Sequence, residues 1–171
     1  MRSIRKGVRR DRCVYACNQS VHDKIGMIGL LQRVSEARVK VDRQVVGEIG
    51  SGVLALIGVE KGDGPKQVER LLDRTLGYRL FPDARGRMNL GLKDTGGGLL
   101  LVPQFTLAAN TGKGLRPGFA AAAEPAQARE YFDYMVELAA RLHQPVASGV
   151  FGANMAVSLV NQGPVTFYLR V

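Results

Sequence analysis

The chain has few of the residues on which many enzymes and small secreted proteins depend. Its 171 residues include two cysteines, two histidines and no tryptophan. Cys13 and Cys17 both lie near the start, so disulfides cannot hold the rest of the chain together. With His22 they offer three metal ligands where a closed zinc site needs four, and we interpret them as free thiols. Stability must therefore come from apolar burial.

Long apolar runs are also missing. No segment approaches the roughly 20 apolar residues that span a bilayer, and the run from Gly52 to Val59 has the length of a strand. The sequence therefore predicts a protein that does not cross a membrane. The basic start lacks the continuous apolar core of a secretory signal, so we expect a cytoplasmic location.

Positive charge is in excess, but much of it lies in the first 26 residues. The formal net charge is +9, and residues 1–26 hold seven Lys or Arg against two Asp. The remainder carries a modest positive charge that slightly favours a phosphate-bearing partner. Residues 1–26 also lack a strand or helix period. We predict a flexible basic extension there, with three open origins (an upstream start codon, a cloning remnant or a nucleic-acid-binding arm), followed by one domain at residues 27–171.

Hydrophobic periodicity in the first half predicts strands followed by a helix. Residues 27–34 and 38–49 resemble a hairpin with one solvent-exposed face, and the run from Gly52 to Val59 suits a central strand covered on both faces. Asp63 is the expected cap of a helix that has Pro65 in its first turn and ends at Gly77.

The second half predicts a loop, a long helix and two final strands. Residues 78–98 contain turn-forming residues and are expected to form a mobile loop. A helix is predicted from about Pro125 to Leu142, with its apolar stripe in the core. Strands are predicted at residues 155–160 and 165–171, joined by a turn. The order ββ, β, α, β, α, ββ implies a mixed sheet with helices on one side.

Two short segments carry most of the functional signal, Pro103-Gln104-Phe105-Thr106-Leu107 and Asn161-Gln162-Gly163-Pro164-Val165-Thr166. A Gly-Pro step beside a ligand presents bare backbone carbonyls in a rigid geometry. Pro103 follows an apolar run, and proline in a strand marks an edge, a bulge or an end, so accessible backbone should follow it. Each segment alone is also typical of a strand-end turn. Their joint occurrence indicates that they outline a pocket.

This combination resembles the D-aminoacyl-tRNA deacylase family, whose signatures read Ser-Gln-x-Thr and Asn-x-Gly-Pro-Val-Thr. The second signature is matched completely, and the resemblance covers about residues 27 to 171. Pro103 stands where the family has Ser, and Gly118 replaces the Ser of Arg-Pro-Ser-Phe. The resemblance implies a compact three-layer α/β/β fold, with mixed sheets in a barrel-like core and two main helices. It also implies a homodimer that needs no cofactor.

Thr106 is a candidate nucleophile, but the sequence places no candidate general base near it. His22 and His143 are not adjacent to either segment, and metal or nucleotide motifs are missing. We predict instead that Gln104, Phe105 and Thr106 form the catalytic segment. Backbone N–H groups around Phe105 and Thr106 would hold the oxyanion, and the ribose 2′-hydroxyl of the substrate would activate water. A nucleophilic Thr106 stays open as an alternative.

The resemblance also implies a substrate and its contacts. Ester hydrolysis of D-aminoacyl-tRNA, and of glycyl-tRNA(Ala), would release the amino acid. Gly163 and Pro164, joined by a cis peptide bond, would enter the neighbouring subunit's pocket and reject L-residues. Phe151 and Met155, with Phe105, are candidates for the 3′-terminal adenosine, with core packing as the alternative for each. Arg116 is a candidate for a phosphate, with a solvated arginine as the alternative. A non-catalytic tRNA 3′-end binder and a threonine-dependent small-ester hydrolase are the alternatives.

Overall fold

The computed structural model describes residues 26–112 and 114–171. The predictions for Cys13, Cys17, His22 and residues 1–25 of the basic extension lie outside these residues, whereas Gly26 is described and buried. The strands are β1 (Ile28–Val41), β2 (Gln44–Ile49), β3 (Gly52–Gly58), β4 (Phe81–Pro82), β5 (Met88–Leu90), β6 (Gly98–Pro103), β7 (Val146–Ser148) and β8 (Ala156–Arg170). The helices are α1 (Pro65–Gly77), α2 (Leu92–Thr95) and α3 (Pro125–Leu142), with a 3₁₀ turn at Phe105–Ala108.

The predicted N-terminal hairpin is confirmed, although its first strand is longer than expected. β1 continues without a break to Val41 and pairs antiparallel with β2. The turn consists of Asp42 and Arg43, with φ angles of 47° and 69°. Two successive left-handed residues match the twist of a two-residue hairpin.

One curved sheet contains six of the eight described strands. β1 lies at its centre, pairing with β2 and β3 on one side and with β8 on the other. β3, β6 and β7 are parallel neighbours. Because β2 also contacts β7, the sheet nearly closes into a barrel. The predicted mixed α/β fold with a barrel-like core is confirmed.

β3 shows how the core forms on both faces of this sheet. Val53 and Ala55 pack in the cluster that includes α1 and α3, whereas Leu54 points into the barrel with Leu100 and Val102. All five are buried. Full burial of such a side chain contributes about 1.5–3 kcal/mol. α1 and α3 therefore cover one face of β3 and the barrel interior the other, and the prediction of a central strand covered on both faces is confirmed.

Two details of the helices differ from the sequence predictions. Gly64 is the N-cap of α1, not Asp63, because the Asp63 carboxylate accepts the backbone N–H of Glu60 at 2.7 Å. α3 has the predicted bounds, but Leu142 is exposed because it is the last helical residue of the stripe. Among the described residues, none of the helices has the length and apolarity needed to cross a membrane.

The region predicted as a loop at residues 78–98 is structured. It contains the β4–β5 hairpin and the short helix α2. Asp83 organises the hairpin turn, because its carboxylate accepts the N–H groups of Arg85 and Arg87 at 2.8 and 3.0 Å. These bonds stabilise the ionised form and lower the pKa of Asp83.

The prediction of two final strands joined by a turn is wrong, because β8 is one strand with a bulge. Its register against β1 jumps from Asn161, opposite Val34, to Thr166, opposite Gln32. The Asn161 side chain closes the bulge: its Oδ1 accepts the Val165 N–H at 2.7 Å, and its Nδ2 donates to Thr166 Oγ1 at 3.0 Å. The Gly-Pro step therefore projects from a continuous strand.

Candidate active site

A cavity of about 590 Å³ opens where the parallel strands β3 and β6 end. Carboxyl ends of parallel strands are common ligand sites, because the chain leaves the sheet there in loops. Most of the lining is apolar, with polar exceptions at Lys61, Gln104 and Glu124. The other lining residues are Val102, Pro103, Phe105, Phe119, Ala122, Ala123, Pro125, Ala128, Phe151, Gly152, Ala153, Met155 and Val157.

The segment after β6 forms one wall of this cavity. Pro103 ends the strand, and the Gln104 N–H makes the last bond to β3, donating to Ile57 O at 2.7 Å. The 3₁₀ turn then begins at Phe105. The N–H groups of Phe105 and Thr106 donate to no acceptor within residues 26–112 and 114–171, as expected at the start of a helical turn. The predicted accessible backbone is confirmed here.

Thr106 has a hydrogen-bond partner but no base. It is exposed and lies outside the cavity lining, and its hydroxyl accepts a hydrogen bond from the Gln104 side-chain amide. No histidine or carboxylate of the described chain bonds to this hydroxyl. His143 lies at the end of α3, with its Nε2 2.7 Å from Gly97 O. The described residues also contain no cluster of potential metal ligands.

Aromatic side chains form part of the cavity lining. The rings of Phe105 and Phe119 lie 5.1 Å apart, and these residues are 59% and 39% exposed. Arg129 lies over the Phe151 ring at 5.0 Å and donates to its carbonyl at 3.1 Å, which fixes that wall. The sequence analysis missed Lys61 and Phe119 as lining residues. Lys61 could have been found from its place just after the predicted central strand.

The Gly-Pro corner lies elsewhere on the same chain. Gly163 and Pro164 are exposed, and the bond between them is cis, as the resemblance implies. Arg33 holds the corner, donating through Nε to Gln162 O at 3.0 Å and through Nη1 to Leu80 O at 2.6 Å. Gly163 has a φ of 139°, and a Cβ there would lie 2.6 Å from Val165 Cγ2. A side chain at this position would therefore clash in a strained backbone.

One chain thus brings together only some of the predicted site residues. Gln104, Phe105, Phe151 and Met155 line the cavity. Thr106 is adjacent to it, and Arg116 is exposed in the loop before α3 without lining it. Gly163 and Pro164 lie on the β8 bulge and do not line the cavity of their own chain.

The chain is similar in sequence to proteins of one known family. The model of the D-Tyr-tRNA(Tyr) deacylase family matches residues 30–170. A protein of Thioalkalivibrio sulfidiphilus named D-aminoacyl-tRNA deacylase is 67% identical over 145 residues, which cover 85% of this chain and 97% of that protein. A protein of the same name from Methylococcus capsulatus is 60% identical over 144 residues, 84% of this chain and 94% of its own length.

Solved structures show the same fold. A chain titled c-Myc DNA Unwinding Element Binding Protein is 32% identical, with a TM-score of 0.79 over 83% of this chain and 97% of its own. A probable eukaryotic D-amino acid tRNA deacylase has a TM-score of 0.70 at 16% identity, over 85% of this chain and 99% of its own, and supports the fold alone. The chain therefore belongs to the D-Tyr-tRNA(Tyr) deacylase family. As a member of it, the protein is a deacylase, a hydrolytic enzyme.

Proposed function

We propose that this protein hydrolyses the ester bond of D-aminoacyl-tRNA in the cytoplasm, releasing the free D-amino acid and tRNA. One observation carries the proposal. An apolar cavity is bordered by a 3₁₀ turn with two unpaired N–H groups, in a chain that is 67% identical to a D-aminoacyl-tRNA deacylase. The cavity suits a base and an aminoacyl group, and the N–H groups suit a developing negative charge.

The chemistry needs no protein nucleophile. Water attacks the ester carbonyl carbon, and its proton passes through the ribose 2′-hydroxyl to the departing 3′ oxygen as the bond between carbonyl carbon and 3′ oxygen breaks. The N–H groups of Phe105 and Thr106 stabilise the oxyanion, each by on the order of 10² to 10³ in rate. Gln104 holds the Thr106 hydroxyl and so orients the turn. The absence of a base beside that hydroxyl among the described residues supports this scheme over a nucleophilic threonine.

The aromatic walls suit the 3′-terminal adenosine. Phe105 and Phe119 form an exposed pair on which a base can stack, and Phe151 and Met155 continue the apolar surface. Base stacking of this kind contributes about 1–3 kcal/mol. Arg116 is exposed nearby in the chain and is our candidate for a backbone phosphate.

Discrimination against L-residues is assigned to the Gly163–Pro164 corner of a second copy of the chain. The corner is exposed and projects from β8, whose outer edge has no partner strand among the described residues. Val160 and Tyr168 of the same strand are exposed apolar residues, which favours an interface there. Backbone placed against the substrate α-carbon would collide with an L side chain but admit a D side chain. Glycine has only hydrogen there, so glycyl-tRNA(Ala) is also a proposed substrate.

The direct test measures release of free amino acid from D-Tyr-tRNA, with L-Tyr-tRNA as the matched substrate. We expect turnover of the D form and persistence of the L form. Protection of both esters would instead identify a tRNA 3′-end binder. Turnover of a simple ester without ribose, abolished by Thr106→Ala, would identify a threonine-dependent esterase. The variant Pro103→Ser tests whether the hydroxyl that the family has at this position is needed for hydrolysis. We expect both the wild-type protein and this variant to hydrolyse D-Tyr-tRNA.

A further inference from the structure

Two buried carboxylates lie in the loop between β3 and α1, away from the chemistry described above. Glu60 is 3% exposed and Asp63 is 5% exposed. Arg170 forms an ion pair with Glu60, and Arg74 donates to the Arg170 carbonyl at 3.4 Å. Buried carboxylates are costly unless charge and hydrogen bonds stabilise them.

These carboxylates hold the first described residues of the chain. The Gly26 N–H donates to Glu60 Oε2 at 2.8 Å. The backbone of Met27 forms a hydrogen bond that stabilises ionised Asp63, and the Glu60 N–H donates to the same carboxylate at 2.7 Å. Met27 itself is fully buried. The site is therefore occupied by the start of the domain.

Residue 26 has almost no space beside this cluster. A Cβ on Gly26 would lie 2.2 Å from the main-chain oxygen of Val171. That oxygen and the two carboxylates place hydrogen-bond acceptors around the Gly26–Met27 junction. A neutral peptide N–H satisfies only part of such a site, whereas an ammonium group offers three donors and a positive charge.

The charge balance points the same way. Burial is the main reason that the pKa of Asp63 rises to about 6, outweighing the bonds from Glu60 and Met27. The charged groups acting on it are Glu60, which repels the ionised form, and Arg170, which attracts it. One more positive charge would stabilise both carboxylates.

We propose that Glu60 and Asp63 form a docking site for the α-ammonium group of a chain that begins at Met27. The relatives supply an independent argument. The 145 residues matched in the Thioalkalivibrio sulfidiphilus protein are 97% of its length, and the family match begins at residue 30. The amino terminus of this relative therefore aligns within a few residues of the cluster.

Docking at this site also reaches the cavity wall. The Lys61 N–H donates to Ala121 O at 2.9 Å, and the Ala123 N–H donates to Val59 O at 3.0 Å. Lys61 and Ala123 line the cavity. A terminus that fixes the loop of Glu60 and Asp63 therefore supports the backbone from which this wall is built.

The test compares the full chain with a chain of residues 27–171, which has about the length of the whole Thioalkalivibrio sulfidiphilus relative. Asp63→Asn is made in both, with Asp73→Asn, an exposed carboxylate, as the matched control. We measure the rate at which the α-amine of the short chain reacts with an acylating reagent near neutral pH. Pairing with Asp63 should raise the pKa of the α-ammonium group by about one unit. Near neutral pH this lowers the unprotonated, reactive fraction of the amine about tenfold, so the reaction should be about tenfold slower than in the Asp63→Asn short chain.

A second readout is thermal stability. Asp63→Asn should lower the Tm of the short chain by more than that of the full chain, and Asp73→Asn should affect both equally. Equal acylation rates with and without Asp63, equal Tm changes in both lengths, or failure of the short chain to fold would each overturn the proposal.

Discussion

The cavity at the end of β6 and the corner on β8 are built in opposite ways. The cavity is concave and mainly apolar, and its walls come from several loops and α3. The corner is convex and exposed, and it belongs to one strand, where Asn161 closes the bulge and Arg33 holds it from β1. The cavity offers volume and free N–H groups, whereas the corner offers rigid backbone without a side chain.

This difference indicates how the proposed reaction and its selectivity are divided. A cavity that binds by apolar contact discriminates weakly between mirror-image substrates, because shape differences of one group cost little. A rigid protrusion can reject a side chain by steric repulsion, which excludes the wrong substrate directly. In the proposed dimer, a second copy of the chain would bring these two regions together.

The largest expected effect is on selectivity, from Gly163→Ala. A Cβ at this φ of 139° would lie 2.6 Å from Val165 Cγ2 and 3.1 Å from Arg33 Nη2, so the corner must shift. We expect the D-to-L ratio of kcat/KM for Tyr-tRNA to fall by about 100-fold, or roughly 2.7 kcal/mol. Gly86→Ala is the control, because Gly86 also has a positive φ but lies in the β4–β5 turn. An unchanged D-to-L ratio in Gly163→Ala would show that the corner does not determine selectivity.

A smaller effect on binding is expected from Phe105→Ala. Removing one ring of the exposed pair with Phe119 should raise the KM for D-Tyr-tRNA about tenfold while leaving the D-to-L ratio unchanged, since stacking is worth about 1–3 kcal/mol. Steady-state kinetics measure both quantities. Met88→Ala, at an exposed apolar residue on β5, controls for loss of surface area. A changed ratio with constant KM would assign the ring to selectivity instead.

Because Arg33 holds the corner, Arg33→Met is expected to lower the selectivity for D over L substrates by less than Gly163→Ala does. This change removes the bonds to Gln162 O and Leu80 O but keeps the apolar stem. We expect the D-to-L ratio to fall about threefold to tenfold, or roughly 0.7–1.4 kcal/mol, because the corner loses these two bonds while the Asn161 bonds stay in place. Arg38→Met on the same strand, which breaks an exposed ion pair with Glu48, should leave the ratio unchanged. If both variants behave alike, Arg33 has no special role.

The last prediction concerns the stability of the fold and its dependence on pH, outside the site. The pKa of Asp63 is raised from 3.8 to about 6, so the folded protein holds this proton more tightly than the unfolded chain does. The stabilisation is full below about pH 4 and is lost as pH rises through about 6. The free energy of unfolding of Asp63→Asn, taken relative to that of wild type, should therefore increase by on the order of 1–2 kcal/mol as the pH rises from 4 to 7. Urea unfolding of the full chain measures this, and a pH-independent difference would contradict the assignment.

Much of the fold could be predicted from local patterns. The buried run of β3, the stripe of α3 and the turn at Asp42 and Arg43 each reflect a periodicity or a turn chemistry that acts within a few residues. The bulge in β8 could not be found this way, because its register depends on β1, more than 100 residues earlier in the chain. Gly-Pro between apolar runs has the same sequence pattern whether it turns a hairpin or bulges one strand.

The part of the candidate site that lies within one short segment could be predicted from the sequence. Pro103 to Thr106 combine a strand-ending proline with accessible backbone, and these features survive in the fold. Phe119 and Lys61 were missed because they reach the cavity only through tertiary packing. Asp63 was misassigned because a cap residue and a loop-closing carboxylate have the same sequence context, and only the Glu60 N–H distinguishes them. The division of the chain after residue 26 stays a prediction.

The central claim is that the corner of one copy completes the cavity of another, and subunit mixing tests it most directly. Gly163→Ala, which keeps an intact cavity, is mixed with an excess of Phe105→Asp, which keeps an intact corner. The carboxylate added at residue 105 is expected to repel the developing oxyanion and so abolish hydrolysis in that cavity. The account predicts that mixing restores the D-to-L ratio, because each intact cavity receives an intact corner from the other variant. Hydrolysis of L-Tyr-tRNA that persists undiminished after mixing would contradict it, since the corner would then act on its own chain.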